Sequence, residues 1–235
     1  MALHKVELAQ NVLDIAFSPN GSNFAVLHEH GISTYHYQAT DQKLSPPKLV
    51  RFCDFLSEDK LVRQIHFTNE SIIIILVTHL LTGKDLILVT SILLDGFDEL
   101  YLDNAVPISI LHPLSYTTTV LWLDVDGNIG SVVIKNDQKK QHSEAIVAKL
   151  PTRIQFIDAI AGTDRANPEN LVYCNTSIIA LAANGNLYHV KRLRDTEISL
   201  LTKGCTSFVL SFPFLIITTA SHFLKFVRFN DGMNI

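Results

Sequence analysis

The stretch "SIIIILVTHLLTGKDLILVTSILL", Ser71–Leu94, decides how this chain is read. Its length and apolar character would suit a single membrane-spanning helix. Its centre argues otherwise. Thr82-Gly83-Lys84-Asp85 would place a charged pair at the bilayer midplane, at a cost of several kcal/mol. Two apolar runs of strand length around a Gly-containing turn explain the pattern better. The stretch therefore predicts a buried β-hairpin.

The same grammar runs through the rest of the chain. Short runs rich in Val, Ile, Thr, Phe and Tyr alternate with turn clusters such as "SPNGSN", "EHG", "DVDGN" and "AANGN". Asn-Gly and Asp-Gly between apolar runs are strong hairpin signals. No segment carries a helical period over eleven or more residues. The best helical candidate, "SEDKLVRQ" at 57–64, is short.

Stacking the runs reveals a repeat. Units begin at Val12, Val62, Val106, Ile154 and Cys205, so successive starts lie 50, 44, 48 and 51 residues apart. Each unit has an alternating strand, a polar turn, a more apolar strand, a tight turn and another alternating strand. Propeller repeats of the WD40 and kelch kinds run about 40 to 50 residues per blade. Middle strands buried on both faces account for continuous runs such as "IIIILV". The fold class expected is all-β: a WD40-type β-propeller of about five degenerate blades. Their approximate limits are 12–50, 51–104, 105–150, 151–200 and 201–235, in one partial propeller over 1–235. The blades are degenerate because no unit closes on a Trp-Asp pair or opens on Gly-His.

Composition narrows the function classes. The chain has 235 residues, 47% apolar and 18% charged, with a net charge of −4, so no global basic field favours nucleic acid. Cys53, Cys174 and Cys205 are odd in number and widely spaced without a C-x-x-C, which favours reduced core thiols over a disulfide framework or zinc site. The start "MALHKVELAQ" has no signal-peptide apolar region, so the sequons at Asn20, Asn69 and Asn175 carry little weight.

Candidate sites are few. His28-Glu29-His30 resembles a metal motif but lies at a hairpin turn rather than on a helix, and the expectation is a solvated turn. Asp124–Asn128, "DVDGN", resembles a calcium loop, but its sixth position is Ile129 and its twelfth Lys135, where Gly and Glu are needed. It reads as a hairpin turn. There is no G-x-S-x-G elbow and no Gly-rich phosphate loop. No catalytic, metal or cofactor-binding residue is assigned. One basic cluster stands out, Lys191, Arg192 and Arg194 in "HVKRLRD", with Lys135, Lys139 and Lys140 a weaker version. It reads either as a solvated outer strand or loop, or as a contact for RNA phosphate or an acidic partner.

Three segments carry a family resemblance. "VLDIAFSPNGSNFAVLHEHGISTYHY", after "MALHKVEL", resembles the start of the second propeller in the largest subunit of Elongator, the IKAP family. "NGNLYHV" resembles a strand pair in a following blade. "CTSFVLSFPFLIITTASHFLKFVRF" resembles that family's V-T-S-F…D-F-L-I-x-T-T…H-x-L-K-F-V segment. "HEHGIS" and the insertion "GTDRANPEN" depart from the pattern only in loops.

The resemblance implies a fragment of a longer scaffold, with Met1 an internal methionine or else an expression or gene-model start, and the last blades of a seven-bladed ring beyond Ile235. It implies a non-catalytic role in the complex that modifies the wobble uridine (U34) of tRNAs, in the cytoplasm with the nucleus as a second compartment. The implied partners are a second WD40 subunit and a radical-SAM, acetyl-CoA-using subunit. Any tRNA contact would be indirect or weak, and dimerisation would use regions outside this chain. No cofactor and no membrane contact are implied. A WD-type peptide-binding module of another assembly, of membrane-coat or nuclear-pore type, is the alternative. An enzyme on a propeller scaffold is the third reading, disfavoured because no convergent polar residues are evident.

Overall fold

A computed structural model describes residues 11–29, 31–36, 39–40, 43–44, 48–54, 59–92, 98–101, 107–114, 119–134, 143–160, 176–191, 196–211 and 213–229. Among them all regular structure is β. Strands are numbered in chain order. The first sheet holds β1 (Val12–Phe17), β2 (Asn23–His28), β3 (Gly31–His36) and β6 (Lys48–Asp54), with the two-residue strands β4 (Ala39–Thr40) and β5 (Lys43–Leu44) paired separately. The second holds β7 (Lys60–Phe67), β8 (Ile72–His79), β9 (Lys84–Ser91) and β10 (Asp98–Tyr101). The third holds β11 (Ile108–Pro113), β12 (Thr119–Asp124), β13 (Asn128–Val133) and β14 (Ser143–Lys149). The fourth holds β15 (Ile154–Ile160), β16 (Ser177–Ala182), β17 (Leu187–Lys191) and β18 (Glu197–Thr202). The fifth holds β19 (Cys205–Ser211), β20 (Phe214–Thr219) and β21 (Leu224–Arg228).

Every one of these sheets is an antiparallel meander, as the turn chemistry predicts. The deciding stretch folds as the hairpin β8–β9, with Ile72 opposite Ser91 and His79 opposite Lys84. Gly83 lies at φ 66 in its turn, a conformation that favours glycine. Ile72–Val77 are all buried, so the continuous apolar run marks a strand covered on both faces. Among the described residues no helix is long and apolar enough to cross a membrane.

"LVRQIHFT" reads as a strand from sequence although it overlaps the short helical candidate at 57–64, whose residues 57 and 58 lie outside the described ones, and the strand reading holds. Lys60–Phe67 is strand β7, paired with β8 from Lys60–His79 to Phe67–Ile73. The cause of the overlap is a β-bulge between Val62 and Gln64. One extra residue breaks the period of two and puts the buried pair Val62 and Ile65 at i, i+3, a helix-like spacing. The same bulge recurs in the first strand pair of each sheet, at Val12/Asp14, Ile108/Ile110, Ile154/Phe156 and Cys205/Ser207.

The chain divides into two compact units. The first is Met1–Pro107 with Ser115–Thr118 and contains the first two sheets. The second is Ile108–Leu114 with Thr119–Ile235 and contains the other three. Within each unit the sheets stack by one rule. In the first unit, Ala25, Leu27 and Ile32 pack against Ile65, Ile73 and Ile75 of the second sheet. In the second unit, Leu121, Leu123 and Ile129 of the third sheet pack against Ile157, Ile178 and Ala180 of the fourth. On the opposite face of the fourth sheet, Ile179, Leu181 and Leu187 pack against Phe208, Leu215 and Ile217 of the fifth.

Counted from the bulge, Leu27, Leu123 and Leu181 hold one register position and Ile32, Ile129 and Leu187 another. Within each unit, the earlier sheet of a stacked pair thus contributes a forward face and the later one a backward face. The bulge pair belongs to the backward face.

Candidate functional site

One concave feature among the described residues lies within the second unit. It is a groove of about 540 Å³ lined by Ser109, Ile110, Asp124, Val125, Arg153, Ile154, Gln155 and Ala183. Local structure explains its position. Ser109 and Gln155 are the extra residues of the bulges in β11 and β15, two neighbouring first strands. A bulge bends its strand and re-aims the side chain, which opens space between the two strand starts. Val125 and Ala183 come from the turns that follow β12 and β16.

The polar groups of the groove suit recognition better than reaction. Asp124 is buried and committed to its own turn. Its Oδ1 accepts N–H bonds from Asp126 and Asn128, each at 2.9 Å, and its Oδ2 accepts from Asn128 Nδ2 at 2.7 Å. Gly127 closes that turn at φ 85, so "DVDGN" is the hairpin turn its spacing predicts. Ser109 Oγ donates to the carbonyls of Leu123 (3.0 Å) and Asp124 (3.4 Å) rather than to a base. Arg153 is exposed at the rim.

Histidines elsewhere are structural. His28 ends β2 and is buried, its Nε2 2.9 Å from Ser33 Oγ. This corrects the expected solvated turn for His28-Glu29-His30, because covering of the sheet reaches the strand's last residue. Glu29 is exposed, and His30 lies outside the described residues. His189 in β17 likewise lies 3.0 Å from Ser177 Oγ and meets the Phe229 ring edge-on at 6.0 Å. Burial, with a smaller contribution from Lys191, lowers its pKa to about 4. His112 Nε2 stands 3.6 Å from Asp158 Oδ1 across neighbouring first strands, and burial raises the Asp158 carboxyl against the opposing hydrogen bond from Ala159 N–H. Among the described residues no group of three or more His, Cys, Asp or Glu could hold a metal ion.

Of the basic cluster, Lys191 ends β17, half-buried, opposite Ser177 on one side and Glu197 on the other. Arg192 and Arg194 lie outside the described residues, as do Lys135, Lys139 and Lys140. The groove and the two His–Ser pairs were not singled out from sequence. The groove's only linear signal is the i, i+3 apolar spacing at Ile108/Leu111 and Ile154/Ile157 that marks its two bulges.

Meanders of three or four strands, repeated with one bulge and one stacking rule, define a repeat family. The model for the ELP1 N-terminal second beta-propeller matches residues 1–235. The chain belongs to this family. Its fold is shared with solved structures of low identity. The WD40 domain of SCAP from fission yeast is 10% identical, with a TM-score of 0.63 over 97% of this chain and 55% of that one. This ELP1-type propeller thus spans about half the length of that chain. A functionally unknown protein from Desulfotomaculum acetoxidans DSM 771 is 16% identical, with a TM-score of 0.55 over 96% of this chain and 72% of that one. Such identities show the fold alone, and the fold is a WD40-type propeller. No curated protein matches the chain in sequence.

Proposed function

We propose that the chain is a non-catalytic scaffold propeller of the Elongator complex, supporting wobble-uridine modification of tRNA through protein–protein contacts. The observation that carries this reading is the family match over the whole chain. The groove chemistry agrees with it, since Asp124 and Ser109 are committed to turn and backbone contacts. The partners proposed are the radical-SAM acetyltransferase subunit and the second WD40 subunit, with dimerisation through regions outside this chain. The compartments proposed are the cytoplasm and the nucleus.

The five sheets are read as degenerate blades of a WD40-type propeller. Lys191, Arg192 and Arg194 are the proposed RNA or acidic-partner contact. Affinity purification of the tagged protein from its native cells tests the reading. Co-purification of both named subunits in constant ratio is expected. A constant ratio with membrane-coat or nuclear-pore proteins instead would favour the general peptide-binding module.

A further inference from the structure

The hairpin β8–β9 is longer than its counterparts. In the other four sheets the middle strand stops opposite the first residue of the bulge. His28 ends β2 opposite Val12, Asp124 ends β12 opposite Ile108, Ala182 ends β16 opposite Ile154, and Thr219 ends β20 opposite Cys205. In the second sheet Val77 holds that place opposite Val62, and β8 runs on through Thr78 to His79. β9 keeps pace, with Asp85 opposite Thr78 and Lys84 opposite His79. Two further residues at about 3.4 Å each carry the turn about 7 Å past the place where the other middle strands stop.

The tip is apolar and exposed. Leu81 is 84% exposed and Leu80 55%, and Leu61, opposite Thr78 at the same end of the sheet, is 53% exposed. The tip is also held in place. Gly83 N–H donates to the His79 carbonyl at 2.8 Å, and Leu80 N–H donates to the Asp59 carbonyl at 2.7 Å. His79 Nε2 stands 3.2 Å from Asp59 Oδ2. Leucines projecting into water add nothing to the core of the free chain. On a braced support they are ready anchors, because little conformational freedom remains to be lost on binding.

Charge selects the occupant. At the base of the hairpin Lys60 pairs with Glu99 at 2.6 Å and Arg63 with Asp85 at 3.1 Å. Lys84, beside the leucines, is exposed and has no ion pair among the described residues. Two leucines next to an unpaired ammonium suit an apolar socket with a carboxylate on its rim. A membrane surface suits them less. Three leucine side chains carry fewer carbons than one myristoyl chain, which by itself holds a protein only marginally. A second copy suits them less as well, because a two-fold contact of tip with tip would set Lys84 against Lys84.

We infer that the β8–β9 hairpin is a docking finger for a different protein, with Leu80 and Leu81 seated in an apolar socket and Lys84 paired with a carboxylate at its rim. The partner is one of the two proposed Elongator subunits, so the inference rests on the scaffold reading.

Affinity purification of the tagged protein from its native cells tests this with variants at exposed positions. Leu80→Ser combined with Leu81→Ser should lower the ratio of one subunit to the tagged protein about tenfold or more. Lys84→Glu should lower the same ratio about threefold to tenfold. Leu81→Met should preserve it, since the tip stays apolar. With both subunits on the wild type, an unchanged ratio in either the serine pair or Lys84→Glu overturns the finger and leaves the scaffold reading standing. A wild type that holds neither subunit overturns both. An equal loss in Leu81→Met overturns the finger, and where the serine pair lowers the yield of soluble protein, Lys84→Glu decides alone. Flotation of the wild type with phosphatidylserine vesicles, abolished by the serine pair, overturns the finger in favour of a lipid surface.

Discussion

Replacing Gly130 by Ala puts the packing of the third sheet to a quantitative test. Gly130 is the cross-strand partner of Trp122, which is fully buried. A Cβ built at Gly130 would lie 2.1 Å from Trp122 Cε2 and Cζ2 and 2.7 Å from Nε1. Carbon atoms in contact prefer about 3.5–4.0 Å, so the indole must leave its slot. Overpacking a core costs roughly 1–3 kcal/mol, and losing an aromatic ring from its site roughly 3–5 kcal/mol. Ala in a strand would otherwise be favoured over Gly by roughly 0.5–1 kcal/mol. The clash is larger, and a net loss of about 2–3 kcal/mol is expected.

Urea unfolding followed by tryptophan emission reads this directly, since Trp122 is the chain's single tryptophan. The midpoint should fall, with a shifted native emission maximum. In a Trp122→Leu background, followed by circular dichroism, Gly130→Ala should be close to neutral, because the ring it strikes is gone. A Gly130→Ala chain as stable as wild type, with unshifted emission, would refute the packing argument.

Three further outcomes are expected. His189 is held neutral by burial with its pKa near 4 against an ordinary 6.5, so the unfolded chain takes up a proton first as pH falls. Its contribution is fully present above the unfolded value and is lost through the window from 6.5 to about 4. Between pH 7 and 5 the loss is about 2 kcal/mol, and His189→Gln should flatten that slope in paired urea titrations. Asp124→Ala strands three donors at the β12–β13 turn and should cost about 2–3 kcal/mol in thermal or urea unfolding; a cost under half of that would remove Asp124 as the turn's organiser. Gly127→Ala meets both a positive φ of 85 and the Leu150 carbonyl 3.2 Å from the new Cβ. It should lower the unfolding midpoint more than Gly21→Ala, where φ is 73 and nothing lies within 4 Å.

Local chemistry made much of the fold legible. The Gly83 turn separated a hairpin from a membrane span, and the run Ile72–Val77 announced a strand buried on both faces. Val12, Val62, Ile154 and Cys205, read as unit starts, are each the first residue of a bulge; the third sheet has its bulge at Ile108/Ile110, and Val106 lies outside the described residues. What escaped is what an inserted residue hides. At Val62–Ile65 the bulge imitates the helix period, which is why a stretch read as the strand "LVRQIHFT" also overlapped the best helical candidate. The groove escaped for a different reason. Ser109, Asp124 and Arg153 lie on separate strands and turns, and their meeting depends on how the third sheet stacks on the fourth. His28 and Ser33 pair across a turn that spacing alone marked as solvated.

The scaffold account stands or falls on one quantity, the fraction of tRNA carrying a modified wobble uridine, measured by mass spectrometry after the segment encoding this chain is deleted from its gene. The account predicts a loss of that modification, reversed by restoring the wild-type segment and not by a version unfolded through Asp124→Ala with Gly130→Ala. An unchanged modified fraction after deletion would contradict it.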